Sequence, residues 1–428
     1  MRIKLNYGKG ELEIEVNEKN LLDVAASKPV SAIADPVQEL SRSLREPIVS
    51  LPLKDKISGK NKICIVISDI TRAVPTKLIL EVLLEELSIY GISKESITIL
   101  IATGLHRPNE GRELEALVGN GIAKNYRIVN HNARDRDSCR EIGKTGRGTP
   151  IILDNVYLDS DFKILTGLIE PHFMAGFSGG RKSICPGISY MDMFKHFHGP
   201  DILESPNASN AVLKGNPFHE ESTEIAKKAG VDFIINVTIN KNKEITGVFS
   251  GDLEEAHRSG AEFCLDSSRY IVNREADIVI TSGGGLPLDA TLYQAVKGMV
   301  GAIPAVRKGG MIIIASQCIE EVGSPEFIEL ITQERDPDKF MEKICGKNYF
   351  KIDQWELEEL YKARRKAEIY LYSECIDKNK YKYNIPASTL KIVDSIQEAV
   401  NIGLQKYGQD AKITIVPEGP YVILTPAC

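Results

Sequence analysis

Five loops of this sequence carry side chains that could take part in a reaction, and four of these loops follow an apolar run. The loops are SDITR (68–72), ATGLHRP (102–108), EPHFMAGFSGGRKS (170–183), FKHFHGP (194–200) and GGGLPLDATLYQAVK (283–297). Their candidate residues are Asp69, Arg72, His106, His172, Lys182, His198 and Lys297. Histidine titrates near neutral pH, and a guanidinium or ammonium group pairs with a carboxylate. These residue types predict proton transfer on a small anionic substrate.

His106 and His172 are the strongest candidates for proton transfer, because each lies just past an apolar strand in a Gly- and Pro-rich loop. One such histidine alone is more often structural, but two in equivalent positions suggest a shared site. His198 is a third member of that site or a metal ligand, so a zinc hydrolase with three histidines is an alternative. The remaining histidines, which we expect at the surface or in capping roles, are His131, His196, His219 and His257.

The segment GFSGGRKS, from Gly176, is close to the phosphate-binding pattern G-x-x-x-x-G-K-[ST]. Arg181 stands where that pattern needs a glycine before Lys182, and the glycine normally allows the backbone to approach a phosphate closely. An NTPase is therefore disfavoured. Ser178 and Gly179 stay candidates for contact with a smaller phosphate.

Apolar runs typical of buried strands alternate with helical patterns along the chain. The alternation predicts two α/β domains with mainly parallel sheets, an N-terminal one over 1–271 and a C-terminal one over 272–428. Polar helices are expected over 324–374, and Asp289 is expected to cap the helix after the glycine loop. In parallel sheets, ligand-binding groups gather in loops at the carboxyl ends of strands, where these candidate residues fall.

Composition excludes several classes of partner. The chain has 428 residues, and 53 basic against 59 acidic side chains give a net charge of −6, which does not favour nucleic acid or an anionic membrane. The sequence contains neither a signal peptide nor an apolar run of about 20 residues. Its eight cysteines form no CxxC pair, which favours reduced thiols and a cytoplasmic location.

The motifs SDITR, ATGLHRP, EPHFMAGFSGGRKSICPGI, the following HGP and LYQAVK resemble, in that order, those of the nickel-pincer lactate racemase family. The resemblance extends from about residue 60 to about residue 360. It implies two α/β domains with the active site in the cleft between them. It also implies a nickel pyridinium-3,5-bisthiocarboxylic acid mononucleotide, joined to a lysine through a thioamide.

Residue by residue, the resemblance makes Lys182 the attachment point, His198 the nickel ligand, and His106 and His172 the two acid/bases. It places Arg72 and Lys297 on the substrate carboxylate. The other positions expected to line the site are Asp69, Thr71, Ser178 and Gly179 on the cofactor side, and Tyr293, Gln294 and Trp355 on the substrate side.

The implied reaction racemises a 2-hydroxy acid, with lactate as the expected substrate. Moving the Cα hydrogen as hydride avoids a second negative charge beside the carboxylate, and one base is needed for each enantiomer. Malate, an aryl-lactate or a sugar acid are alternative substrates, and a protein that binds its ligand without turnover is a further alternative. The implied partners are the small substrate and the proteins that make and insert the cofactor.

Overall fold

A computed structural model describes residues 1–346, 349–382 and 384–427 of the chain. The chain forms two compact units. The central unit contains residues 29–170 and 174–266, and the terminal unit contains residues 1–28, 171–173 and 267 onwards.

The strands are short and mostly apolar. In chain order they are β1 (Arg2–Tyr7), β2 (Gly10–Glu15), β3 (Leu21–Val24), β4 (Ile63–Ser68), β5 (Ile97–Ala102), β6 (Arg127–Asn130), β7 (Cys139–Lys144), β8 (Pro150–Asp154), β9 (Phe162–Leu168), β10 (Pro171–His172), β11 (Gly176–Phe177), β12 (Phe233–Ile239), β13 (Ile245–Gly251), β14 (Arg269–Val272), β15 (Ala276–Ser282), β16 (Val306–Ala315), β17 (Ala367–Tyr372), β18 (Lys391–Val393), β19 (Ile413–Val416) and β20 (Ile423–Pro426).

The α-helices alternate with these strands. In chain order they are α1 (Pro36–Arg45), α2 (Leu53–Ile57), α3 (Thr76–Ile89), α4 (Gly111–Val118), α5 (Asn120–Asn125), α6 (Asn155–Leu158), α7 (Phe194–Phe197), α8 (Pro200–Leu203), α9 (Pro217–Ala229), α10 (Glu255–Ser268), α11 (Leu292–Gly301), α12 (Pro325–Gln333), α13 (Pro337–Ile344), α14 (Gln354–Lys366), α15 (Lys378–Tyr381) and α16 (Ile396–Tyr407). Across the described ranges, none of the helices combines the length and the apolar character that crossing a membrane requires.

The central unit is built on a six-stranded sheet in the order β13-β12-β9-β4-β5-β6. Neighbouring strands of this sheet are parallel, except that β13 pairs antiparallel with β12. The inner strands β4 and β9 are buried almost throughout, as expected of parallel strands covered on both faces. The chain runs from β4 to β5 on one side and later returns to β9 on the other. The loops after these three strands therefore leave the sheet at one edge, beside a topological switch point.

The terminal unit contains a second sheet, in the order β18-β17-β16-β15-β19-β3, with every pair parallel. Strand β3 lies at the edge of this sheet, beside β19. The observed division differs from the domain expected over 1–271 in that residues 1–28, 171–173 and 267–271 belong to the terminal unit. The mixed α/β class with mainly parallel sheets is confirmed.

The expectation of helices throughout 324–374 is wrong for the last residues of this range, which include a strand. Helices α12 to α14 lie in this range, but AEIYLY forms β17, which pairs with β16 and β18. The strand has only six residues and directly follows the thirteen-residue helix α14. A short apolar run that continues a helical pattern carries too little periodicity to be distinguished from the helix.

Asp289 does not cap α11. The helix begins at Leu292, and the hydroxyl of Thr291 accepts the hydrogen bond from the backbone N–H of Gln294 at 3.2 Å. Asp289 is fully buried, and its Oδ2 accepts hydrogen bonds from the backbone N–H of Gly8 at 2.8 Å and of Gln317 at 3.3 Å. Its carboxylate therefore fastens the turn of the N-terminal hairpin to the loop after β16.

Replacing Asp289 with Ala should destabilise the terminal unit by about 1–3 kcal/mol, because two buried N–H groups lose their acceptor. Urea denaturation followed by the fluorescence of Trp355, the single tryptophan, reports on this unit. Asp394→Ala is the control, since Asp394 is exposed and pairs with surface lysines. Equal stability of the two variants would contradict the anchoring role.

Candidate functional site

Asp69 and His106 form a hydrogen-bonded pair at the carboxyl ends of β4 and β5. Nδ1 of His106 lies 2.7 Å from Oδ2 of Asp69. The Asp69 side chain is 4% exposed and that of His106 is 33% exposed, so the pair has a buried anchor and an accessible ring. Asp69 also accepts hydrogen bonds from the backbone N–H of Thr71, at 2.9 Å, and from its hydroxyl. An ionised carboxylate only accepts, so Nδ1 carries the proton and Nε2 is the nitrogen that can face a substrate.

The charge state of Asp69 follows from its neighbours. Burial alone raises the pKa of this carboxyl group, but the charge of His106 and its hydrogen bond, the charge of Arg72 and the hydrogen bond from Thr71 together lower it below the ordinary value. Asp69 is therefore ionised at neutral pH and can stabilise a protonated His106 ring. The structure thus brings four predicted residues, Asp69, Thr71, Arg72 and His106, into one cluster.

Lys182 and His198 meet at the ring of Phe218. Lys182 lies on the 3₁₀ turn Gly180–Ser183, and its Nζ is 4.9 Å from the centroid of that ring. The His198 ring is edge-on to the same ring at 5.1 Å and stacks on Phe194 at 5.4 Å. His198 is 7% exposed, and burial followed by the charge of Lys182 holds its pKa well below the usual value. A neutral imidazole is the state that a metal ligand requires.

The loop that carries His106 packs against the segment that carries Lys182. The backbone N–H of Gly104 donates to the carbonyl of Gly187 at 2.9 Å. A Cβ at Gly187 would lie 2.4 Å from the carbonyl oxygen of Ser183 and 2.8 Å from Cβ of Ala102, so only glycine allows this approach. A Cβ at Gly104 would lie 3.9 Å from Cζ of Phe194, the ring on which His198 stacks.

Ser178 and Gly179 are held by contacts within the central unit. The Ser178 hydroxyl donates to the carbonyl of Leu168 at 2.7 Å and accepts from the backbone N–H of Glu170 at 3.0 Å. Gly179 has φ +77°, and a Cβ there would lie 2.8 Å from Oδ1 of Asn236. These contacts give both residues a structural role in the turn that the sequence pattern did not indicate.

The expectation of surface or capping roles is wrong for His131 and His257, whereas His219 is partly buried. His131 is buried, with Nδ1 2.8 Å from Oδ2 of Asp154. His257 is buried, with Nε2 2.7 Å from Nη1 of Arg181. Burial, followed by the charge of Arg181, lowers the pKa of His219 to about 3. Their partners lie at least 23 positions away along the chain, so no local signal could have identified them.

Four of the five predicted substrate residues lie in the terminal unit, and the fifth, Arg72, lies in the central unit. Tyr293, Gln294 and Lys297 occupy the first two turns of α11, and Trp355 lies at the start of α14. The indole Nε1 of Trp355 donates to the hydroxyl of Tyr293 at 2.9 Å. Within the described ranges, Oε1 of Gln294 is buried without a hydrogen-bond partner, which is typical of a group that meets a ligand. The segment 171–173 also groups with this unit, and the half-buried ring of His172 stacks on Phe173 at 5.1 Å.

In the part of the chain that the structure describes, no three His, Cys, Asp or Glu side chains are grouped to hold a metal ion by themselves. The zinc-hydrolase alternative has no geometric support from these residues.

Two family models match the chain. The lactate racemase N-terminal domain matches residues 7–211, and the lactate racemase C-terminal domain matches residues 271–424. Curated lactate racemases from Thermoanaerobacterium thermosaccharolyticum and Lactiplantibacillus plantarum are each 34% identical to this chain, over 99% of both sequences.

Solved structures agree with these matches. The lactate racemase apoprotein from Thermoanaerobacterium thermosaccharolyticum is 33% identical and superimposes with a TM-score of 0.92, over 99% of this chain and 100% of that chain. A crystallised protein from Thermotoga maritima, 18% identical, has a TM-score of 0.70 over 94% of this chain and 100% of that chain, and shows the shared fold alone.

Fold and site together define an α/β enzyme with an Asp–His pair and a lysine beside a neutral histidine at the carboxyl edge of a parallel sheet. Within that class, the chain belongs to the lactate racemase family. The family and the isomerase class expected from the motifs are confirmed.

Three histidines with lowered pKa values predict a loss of stability at acid pH. In the folded chain the pKa values of His198, His219 and His257 lie below the ordinary value, chiefly because of burial. In the unfolded chain each titrates near 6.5. The unfolded state therefore binds more protons below pH 6.5, and stability that is complete above this pH is lost as the pH falls towards the folded-state pKa values. Each histidine contributes a slope of up to about 1.4 kcal/mol per pH unit.

Urea unfolding of the central unit, followed by circular dichroism between pH 7.5 and pH 4.5, measures this slope. His219→Gln removes one of the three groups and should make the slope shallower by up to about 1.4 kcal/mol per pH unit. An unchanged slope in this variant would show that His219 is not held neutral by the fold.

Proposed function

We propose that this protein racemises a 2-hydroxy acid, with lactate as the substrate, and that it carries a nickel-pincer nucleotide on Lys182. The observation that carries the proposal is the meeting of the Lys182 amine and the neutral His198 ring at Phe218. Two curated relatives that the chain matches over almost its full length are lactate racemases, which supports the choice of substrate.

The residues present fit such a cofactor. Lys182 offers a primary amine for a thioamide, and His198 offers a neutral nitrogen to a metal whose other donors come from the pincer. Nickel(II) accepts imidazole together with soft donors in a planar arrangement. When bound, the cofactor would supply a reversible acceptor for the substrate's Cα hydrogen as hydride. Thr71, Ser178 and Gly179 are proposed to lie along it.

The acid–base step follows from the Asp69–His106 pair. Nε2 of His106 takes the proton of the substrate hydroxyl, and the ionised Asp69 stabilises the imidazolium that forms. His172 is proposed to do the same for the other enantiomer. Arg72 and Lys297 bind the substrate carboxylate, and a guanidinium can do so with two parallel hydrogen bonds.

The proposal extends to the remaining substrate contacts and to the surroundings of the protein. Tyr293, Gln294 and Trp355 line the substrate, and the buried Oε1 of Gln294 supports this for the amide side chain. The proteins that synthesise and insert the cofactor are proposed partners, and the cytoplasm is the proposed location.

Loading the protein tests the proposal as a whole. After co-expression with cofactor-synthesis proteins in nickel-containing medium, intact mass should increase and peptide mapping should place the addition on Lys182. Lys182→Ala should lack both the addition and the nickel, whereas Lys195→Ala, at an exposed neighbouring lysine, should keep them. A chiral assay should show interconversion of D- and L-lactate. Failure of the loaded protein to turn over lactate, malate, phenyllactate or a sugar acid would refute the function.

Asp69→Asn should keep the cofactor but lower kcat for lactate by about 100-fold or more, because a neutral amide cannot stabilise the protonated His106 ring. The measurement is racemisation per bound nickel. Asp154→Asn is a matched control, since Asp154 forms the same kind of pair with buried His131, and neither residue has a role in the proposed reaction. It should lower stability and leave kcat of the folded protein unchanged. A normal kcat in Asp69→Asn would remove Asp69 from the acid–base step.

A further inference from the structure

Arg181 is a buried cation held by backbone carbonyls. Its side chain is among the largest that are fully enclosed, and the residue is 2% exposed. Nη2 donates to the carbonyls of Ala175 and Phe177 at 2.8 Å each, and Nη1 donates to the carbonyl of Gly179 at 3.2 Å. Burial lowers the pKa of Arg181 to about 9, so the guanidinium stays charged at neutral pH. Several carbonyl acceptors offset the cost of burying this charge.

The glycines of this segment allow the carbonyls to turn inwards. Gly176 and Gly179 have φ +77°, and Gly180 has φ +51°. A Cβ at Gly176 would lie 2.3 Å from the carbonyl oxygen of Val212, so a larger residue does not fit. The turn therefore wraps around a cation that belongs to the chain itself. A phosphate-binding loop does the opposite, because it directs N–H groups towards an anion.

His257 supports the guanidinium from α10. Its Nε2 lies 2.7 Å from Nη1 of Arg181 and 2.8 Å from the carbonyl of Ser178. A guanidinium only donates, so in the contact with Arg181 Nε2 accepts and the ring is neutral, and this nitrogen then carries no proton for the carbonyl of Ser178. Burial and the charge of Arg181 lower the pKa of His257, in agreement with this state. The charged and titratable groups that face the ring are Arg181 and His219.

The carbonyl of Gly179 connects this arrangement to Lys182. It accepts a hydrogen bond from Nη1 of Arg181 and also from the backbone N–H of Lys182, at 3.2 Å each. The guanidinium and the cofactor-attachment residue thus share one acceptor. A change in the orientation of this carbonyl would move the backbone from which the Lys182 amine extends.

We propose that Arg181 and His257 are positioning residues that hold the 175–180 turn so that the Lys182 amine stays at Phe218, beside His198. The inference rests on the proposed role of Lys182 as the attachment point. It assigns to Arg181 and His257 a part in cofactor attachment, although neither has to touch the cofactor.

Arg181→Lys tests this inference, because an ammonium keeps the charge but lacks the planar fork that reaches several carbonyls. Amide hydrogen exchange of peptides within 175–185 should become about tenfold faster, as expected for the loss of roughly one to two hydrogen bonds. Peptides within 276–282 should not change. The fraction of Lys182 that gains the cofactor in a short loading reaction should fall by about tenfold. Arg307→Lys is the control, since Arg307 pairs with Asp277 at a partly exposed position.

Variants of His257 test the same arrangement independently, should Arg181→Lys not fold. The side-chain oxygen of Gln can accept from Arg181, as Nε2 of His257 does, so His257→Gln should retain normal exchange and normal attachment. His257→Leu offers no acceptor and should show faster exchange and slower attachment. Equal behaviour of the Gln and Leu variants would overturn the assignment of His257.

The outcomes separate this inference from the proposed function. Faster exchange with normal attachment in Arg181→Lys would overturn the positioning role, and so would normal exchange. If the wild-type chain gains no cofactor, the proposed function fails. The inference is then decided by acetylation of Lys182 relative to Lys163 with acetic anhydride. That ratio should rise in Arg181→Lys if Arg181 and His257 hold the Lys182 amine at Phe218. An unchanged ratio would overturn the inference.

Discussion

Parallel pairing of β4 with β5 and β9 is the constraint on which the candidate site depends. The register aligns Ser68 with Ala102, so the chain leaves both strands at the same level. Asp69 follows immediately on one strand, and His106 follows a short turn after the other. The hydrogen bond between them is therefore a consequence of strand register, and a slip of one residue would turn the side chains of β4 to the opposite face. Since β9 pairs on the other side of β4, the turn that carries Lys182 begins at the same edge.

Burial then sorts the ionisable groups of this edge into different charge states. Asp69 is as buried as His198, yet it stays charged because His106, Arg72 and Thr71 surround its oxygens. His198 lies among the rings of Phe194, Phe197 and Phe218 with a lysine nearby, so its charged form is disfavoured. An ionised carboxylate lies behind one imidazole, and an aromatic surrounding keeps the other neutral. Two residues of the same type thus have different surroundings, one beside a buried carboxylate and one among aromatic rings.

The sequence predicts the α/β class and the positions of most strands, because buried parallel strands appear as uninterrupted apolar runs. It also singles out His106 as a candidate, since its loop directly follows such a run, whereas the role expected of Lys182 comes from the resemblance to the family. It does not predict β17, whose six residues continue a helical pattern, or β3, whose partner β19 lies almost 400 residues away. Asp289 and His257 illustrate the same limit. Their roles depend on Gly8 and Arg181, at separations of 281 and 76 residues, and no local pattern encodes such contacts.

Arg181 shows how a sequence pattern can be interpreted correctly in part. The arginine in the sequence disfavours a phosphate-binding loop. The structure gives a physical reason why this turn differs from such a loop, because its carbonyls point to the guanidinium. The N–H groups are also engaged, that of Ser178 by the carbonyl of Glu170 and that of Gly180 by Oδ1 of Asn236. A turn with both kinds of backbone group committed internally has little left to offer an anion. What the turn provides instead is a fixed backbone, from which the Lys182 side chain extends to the ring of Phe218, beside His198.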